Sequence, residues 1–294
     1  MKISYYPGCT LKYKAKNLET AALASLDTLG IEVEEMDRWN CCGAVFSLAN
    51  DDLIHMVGPV RNLVRAKEQG ADAIVTLCSM CYNTLARANM LMKNDPEKRD
   101  TINRFMDDEI DYFGDVEVHH FLSLVKDKVG WQALSKKVKT PLTGVKIASY
   151  YGCTLQRPSE VGIEPMGSFT LMNELFEALG AEAVPFSAAD KCCGSYQVIC
   201  EEEGDNTAAA TVLNAASTSG AETLVTSCPL CEFNLGKQQE ALKVKGKITE
   251  NVPTLYFTQL LAIALGVTEE QCGFELNDAQ VTQFLESKKL LVAA

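Results

Sequence analysis

Apolar and polar positions alternate along the chain in a repeating strand-then-helix rhythm. Residues 2–6 (KISYY) and 145–150 (VKIASY) are short β-type runs that end close to a Gly-Cys pair. Helical periodicity follows over 17–29 and 167–179, then a second β-type run over 32–36 and 183–186. Further helical patterns cover roughly 51–68 and 203–218. A third apolar run, 73–77 and 223–227, leads into Cys-x-x-Cys, from which a helix starts. DVEVHHFLSLV (115–125) and NVPTLYFTQLL (251–261) predict a fourth strand and a closing helix in each half. Alternating strands and helices imply parallel sheets. The predicted fold class is therefore α/β, in two pseudo-symmetric repeats, each a small parallel sheet flanked by helices. The breaker cluster Thr140-Pro141-Leu142-Thr143-Gly144 divides the chain into expected domains 1–143 and 144–294. Residues 86–114 have no place in this scheme, and MKNDPEKRD within them reads as a charged turn between helices.

The repeat is visible residue by residue. KISYYPGCTL (2–11) aligns with KIASYYGCTL (146–155), and GADAIVTLCSMCYNTL (70–85) with GAETLVTSCPLCEFNL (220–235). Between these blocks each half carries Cys-Cys-Gly. The sets are Cys9, Cys41, Cys42, Cys78 and Cys81, then Cys153, Cys192, Cys193, Cys228 and Cys231. Ten of the 12 cysteines thus fall into two ordered sets of five, which chance neighbours do not produce. In a parallel α/β fold these loops share the carboxyl edge of the sheet, where such folds bind ligands.

Composition narrows the chemistry. The formal charge of -12 excludes a broad basic surface for nucleic acid. The start MKISYYPGC lacks signal-peptide features, and no apolar run approaches the roughly 20 residues that span a bilayer, so a cytoplasmic protein without a membrane span is expected. Disulfides are rare in that compartment, so the cysteines point to metal or redox chemistry.

Five thiolates exceed the four of a structural zinc site and the four of an ordinary cubane. Adjacent cysteines in extended backbone point to opposite faces and clamp one small ion poorly. They suit a larger iron–sulfur cluster in which one thiolate bridges two irons. Cys78 and Cys228 lie where a strand ends and a helix begins, a position that favours thiolate. Thiol exchange by a lone Cys-x-x-Cys is the competing enzyme reading, and it leaves eight cysteines unexplained. No ferredoxin cysteine run and no Gly-x-Gly-x-x-Gly follows a strand, so no flavin is expected in this chain.

The doubled pattern resembles the CCG-domain (cysteine-rich) family, and the whole chain is similar to the B subunits of heterodisulfide reductase from methanogenic archaea. The resemblance implies two non-cubane iron–sulfur clusters, about four irons each, one on each set of five cysteines. It implies reduction of the coenzyme M–coenzyme B heterodisulfide to two thiols. Cys42 and Cys193 are the candidate bridging, catalytic positions. The partners implied are an iron–sulfur electron-carrier subunit and a flavin subunit, with a hydrogenase or formate dehydrogenase. CCG subunits also occur in glycolate-, lactate- and glycerol-3-phosphate-oxidising complexes and in thiol-dependent fumarate reductases, where the alternative role is electron transfer.

Anionic coenzymes require positive groups. Lys12, Lys14 and Arg157, each shortly after a cysteine, are the candidate substrate-binding residues; Lys16, Arg38 and Lys191 are further candidates. Cys200, Cys272, His119 and His120 read as structural, His55 as a weak proton-donor candidate, and Glu201–Glu203 as a solvated helix face.

Overall fold

The computed structural model describes residues 3–44, 52–195 and 206–291. The first half holds four parallel strands: β1 (Ile3–Tyr5), β2 (Glu34–Glu35), β3 (Ala73–Thr76) and β4 (Glu117–His120), in the order β2-β1-β3-β4. The second repeats it with β5 (Lys146–Ser149), β6 (Glu182–Ala183), β7 (Thr223–Thr226) and β8 (Thr254–Tyr256), in the order β6-β5-β7-β8. The central strands Ala73–Thr76 and Thr223–Thr226 are buried at every position, as strands covered on both faces must be. The edge strands β2 and β6 are shorter than the runs that predict them, two residues each, and both contain a solvent-facing glutamate.

Helices of the first half include α1 (Lys16–Leu29), α2 (Val57–Glu68), α3 (Ser79–Asn94), α4 (Pro96–Phe105) and α5 (Phe121–Lys128). Those of the second include α6 (Thr170–Ala178), α7 (Thr207–Thr218), α8 (Pro229–Glu232), α9 (Gln239–Val244), α10 (Phe257–Ala264) and α11 (Ala279–Ser287). Residues 86–114, unplaced by pattern, form most of α3 and all of α4. The charged segment holds the expected turn between helices: α3 ends at Asn94, and Asp95 caps α4 by accepting from the Lys98 amide, with Pro96 in the first turn.

Each closing helix packs on the other half. Thr258 of α10 donates to the Leu18 carbonyl of α1 at 3.1 Å. Reciprocally, Lys126 of α5 pairs with Glu174 of α6 at 2.7 Å. Phe121 and Phe257, the first residues of α5 and α10, meet edge-on with ring centroids 5.6 Å apart. Contact between equivalent residues marks a pseudo-two-fold axis. It brings the carboxyl edges of the two sheets together.

Candidate functional site

Within each sheet the chain reverses its winding between the first and third strands, and the loops after them open a crevice. Cys9 follows β1, Cys41 and Cys42 follow β2, and Cys78 caps α3 directly after β3. Cys153, Cys192, Cys193 and Cys228 repeat these positions around β5, β6 and β7. The Cys81 and Cys231 amides, in the first turn of each helix, act on the Cys78 and Cys228 thiols and favour thiolate there.

The sulfurs gather without bonding. All eleven described cysteines are free. Cys9 and Cys41 Sγ are 3.7 Å apart, Cys42 and Cys81 3.5 Å, Cys193 and Cys231 3.4 Å. A disulfide needs about 2.05 Å; thiolates sharing one tetrahedral metal lie about 3.8 Å apart when each bond is about 2.3 Å. The burial gradient is the same in both sets. The lone cysteine and the first of the Cys-Cys pair lie at the rim, and the other three are buried. Across the axis the Cys78 and Cys228 thiols are near enough to shift each other's titration, Cys78 up and Cys228 down, so the two sets adjoin.

This crowding splits the thiols by charge. Hydrogen bonds from Cys153 and Cys193 draw Cys192 down to about 2, and the Cys192 thiolate in turn pushes Cys193 up to about 12. Cys42 is likewise lowered by Cys41 and Cys81, and Cys81 is raised. Ten thiolates cannot coexist in this space without cations. Two further observations fit a bulky electropositive group. A Cβ on Gly8, whose φ is 74°, would lie 2.9 Å from Cys81 Sγ, so only glycine lets the backbone pass there. The buried Ser227 hydroxyl, next to Cys228, and Asn83 Oδ1 have no partner among the described residues. No group of three or more His, Cys, Asp or Glu side chains among the described residues is set to hold a single metal ion. The donor set suits a polynuclear cluster better than one ion.

Polar residues that pattern reading passed over organise the loops. Asn83 of α3 reaches across the axis, donating to the Thr154 carbonyl at 2.9 Å and the Arg157 carbonyl at 2.6 Å, and so fixes the loop after Cys153. Asn206 and Asn234 both donate to the Cys193 carbonyl, at 2.9 and 3.0 Å, and Asn234 Nδ2 lies 3.8 Å from its sulfur. Tyr6 and Tyr150 donate to the carbonyls of Asn40 and Lys191 at 2.8 and 2.7 Å, pinning the residue before each Cys-Cys pair. Burial first, then the nearby thiols, raises both phenols far above their ordinary range, so they stay protonated. An asparagine two or three residues past each Cys-x-x-Cys, in CYNTL and CEFNL, was the available signal.

The histidines and basic residues have definite surroundings. His120 is fully buried, with Nε2 3.0 Å from the Leu77 carbonyl and Nδ1 accepting from the Leu122 amide. This arrangement requires the neutral ring, and burial lowers its pKa to about 4. Half-buried His119 faces Glu117 at 3.1 Å. His55 lies in a short turn of 3-10 helix, Leu53–Met56. Lys12 is held between Glu19 at 2.8 Å and Glu35 at 2.6 Å, Arg157 pairs with Asp190 at 2.5 Å, and Arg38 with Glu68 at 2.8 Å. Lys14 is exposed, as are Lys16 and Lys191. Cys272 is buried away from both sets; Cys200 and Glu201–Glu203 lie outside the described residues. Among the described residues no helix is long and apolar enough to cross a membrane.

Residues 3–86 and 147–236 match the CCG cysteine-rich domain. The chain belongs to the CCG cysteine-rich domain family. It is 33% identical over 96% of its length, and 98% of the relative's, to the 8-methylmenaquinol:fumarate reductase membrane anchor subunit of Wolinella succinogenes. It is 30% identical over 97% of its length, and 96% of the relative's, to the B subunit of the ferredoxin/F420H2-dependent CoB-CoM heterodisulfide reductase of Methanosarcina acetivorans. A crystal structure of a hypothetical protein from Helicobacter pylori shares the fold: TM-score 0.74 at 15% identity, covering 94% of this chain and 51% of that one. Each matched segment holds three of the four strands of one sheet, β1–β3 and β5–β7.

Proposed function

We propose that the chain is the catalytic iron–sulfur subunit of a heterodisulfide reductase, with CCG domains at 1–143 and 144–294. The clustering of free thiols in both halves, with sulfurs 3.4–3.7 Å apart, supports this reading, and Cys78 beside Cys228 lets the two sets act on one substrate. Cys9, Cys41, Cys42, Cys78 and Cys81 would hold one non-cubane cluster, and Cys153, Cys192, Cys193, Cys228 and Cys231 the other. Such clusters supply one electron at a time and bind sulfur. Cleaving the coenzyme M–coenzyme B disulfide consumes two electrons and two protons and yields two thiols.

The chain's own residues prepare that site. Gly8 keeps the first loop close to Cys81, and Asn83 ties the second loop to the first half. Tyr6 and Tyr150 hold the Cys-Cys pairs in place rather than release protons, since their hydroxyls are engaged. Lys12 and Arg157 are neutralised by carboxylates, so Lys14 is the better candidate for an anionic coenzyme. Electrons would arrive from an iron–sulfur carrier subunit and a flavin subunit, with a hydrogenase or formate dehydrogenase behind them, in the cytoplasm.

The 33% identity to the Wolinella protein favours one second reading, electron transfer within a fumarate reductase. Anaerobic assay of the iron-loaded chain with a one-electron viologen donor separates the two. Release of two thiols per heterodisulfide is expected. A reducible chain that never cleaves the disulfide would leave electron transfer as its role.

A further inference from the structure

The strand register places Ser149 where the first half has Tyr5. Tyr5 pairs with Val75 of β3, and Ser149 with Val225 of β7. Tyr5 is 2% exposed, and its ring fills the space between β1, β2 and α1. Its hydroxyl donates to Glu19 at 3.0 Å, and Lys12 joins Glu19 to Glu35 of the edge strand. Every member of that network changes in the second half. Phe169 stands for Glu19, Gln156 for Lys12 and Pro185 for Glu35. The helix ends confirm the alignment, because α1 and α6 both stop at a Leu-Gly pair with positive φ at the glycine, Gly30 and Gly180.

Where the tyrosine ring is missing there is a cavity of about 280 Å³. Ser149, Phe169, Asn173, Pro185, Phe186 and Ser187 contribute to its walls. Ser149 is 3% exposed, and its hydroxyl has no hydrogen-bond partner among the described residues. An unmade hydrogen bond of this kind is costly, and rotation of the hydroxyl from beneath the wall toward the cavity would let a ligand oxygen supply it. Among the described residues no charged side chain lines the cavity, so an ionised ligand would find no counter-charge there. Its volume sits at the small end of the ligand-pocket range, about 300–1,000 Å³. Tyr5 shows what this architecture accepts: one flat ring carrying one oxygen.

We propose that this cavity binds an uncharged ring bearing a hydroxyl or keto oxygen, of the phenol or quinone kind. The site goes beyond the disulfide reaction and lies beside it. The Ala189 carbonyl, at the cavity wall, accepts from the Tyr151 and Gly152 amides at 2.9 and 3.0 Å, and Gly152 directly precedes Cys153. An occupant would therefore press on the loop that presents the second cysteine set.

The test uses p-cresol, the tyrosine side chain as a free molecule, with the anaerobically purified iron-loaded chain and calorimetry. Saturable binding is expected, about five- to tenfold tighter than that of toluene, since one hydrogen bond to a buried group separates them. Para-hydroxybenzoate should not compete. Ser149→Tyr should abolish binding and raise the melting temperature, and Ser149→Ala should bring p-cresol down to the affinity of toluene. Ser149→Ala decides the matter if the tyrosine variant does not fold. Absence of saturable binding at millimolar p-cresol, or p-cresol binding unchanged in Ser149→Ala, overturns the proposal.

Discussion

Beside Cys78 the first half places Tyr82 against His120, ring centroids 5.8 Å apart. The second half places Glu232 at the position of Tyr82 and Tyr256 at that of His120, with the phenol donating to the carboxyl at 3.4 Å. Both pairs are buried at the same point of the same fold. The first is a neutral imidazole held by backbone; the second is a carboxyl that burial pushes up to about 7. The helices diverge with them. α3 runs unbroken for 16 residues, whereas α8 gives way to a π-helical turn, Phe233–Lys237, before α9. Gly236 in that turn makes room for the carboxyl, since a Cβ there would lie 2.9 Å from Glu232 Oε1. Such turns are frequent at functional sites. The thiol cage is symmetric while its surroundings are not, so the two cysteine sets sit in chemically different environments.

The sharpest way to break this comparison is to remove one bridging candidate at a time. Cys42→Ala and Cys193→Ala should each abolish almost all heterodisulfide reduction, with iron content falling in the altered half. Normal turnover in Cys193→Ala beside a dead Cys42→Ala would assign the chemistry to one half alone. The shared axis is tested next. Phe257→Ala and Phe121→Ala should each cost about 3–5 kcal/mol, the usual penalty for emptying a packed aromatic site, measured by anaerobic denaturation. A small loss in one of them would show that the two closing helices do not share a seam.

The smallest effect is the most specific to one half. His120 has a folded pKa of about 4 against an ordinary 6.5, so as pH falls the unfolded chain takes up the proton first. Stability should therefore drop below pH 6.5, by about 2 kcal/mol at pH 5. His120→Phe should flatten that slope between pH 5 and 7 in the melting temperature. An unchanged slope would locate the acid sensitivity elsewhere.

The sequence made the sheet-and-helix rhythm and both cysteine sets legible, because β-type runs, Gly-Cys and Cys-x-x-Cys are local signals. The turn between helices in MKNDPEKRD was legible from its charge and its proline, but residues 86–114 could not be placed in the repeat, although Leu85, Ala88 and Met92 lie on one buried face. Asn83 and Asn234 were illegible for another reason. A polar residue inside a helix says nothing of which distant carbonyl it will meet, and Asn83 finds its partners 71 and 74 residues away. Lys12 and Arg157 stood out as charges near cysteines, while the carboxylates that neutralise them lie elsewhere in the chain.

The crossed packing of the closing helices has an evolutionary consequence. Each half covers its partner as a protomer covers its mate in a two-fold dimer, and the segment from Lys139 to Gly144 serves as a tether, its Lys139 and Thr140 amides both bonded to the Ala264 carbonyl. In a dimer of identical chains, one codon change alters both sites at once. A tandem duplicate escapes that constraint. Tyr5 and Ser149, or His120 and Tyr256, can drift apart while the shared seam keeps the halves in register, which makes the tether the feature that permits two equal cages to acquire unequal neighbours.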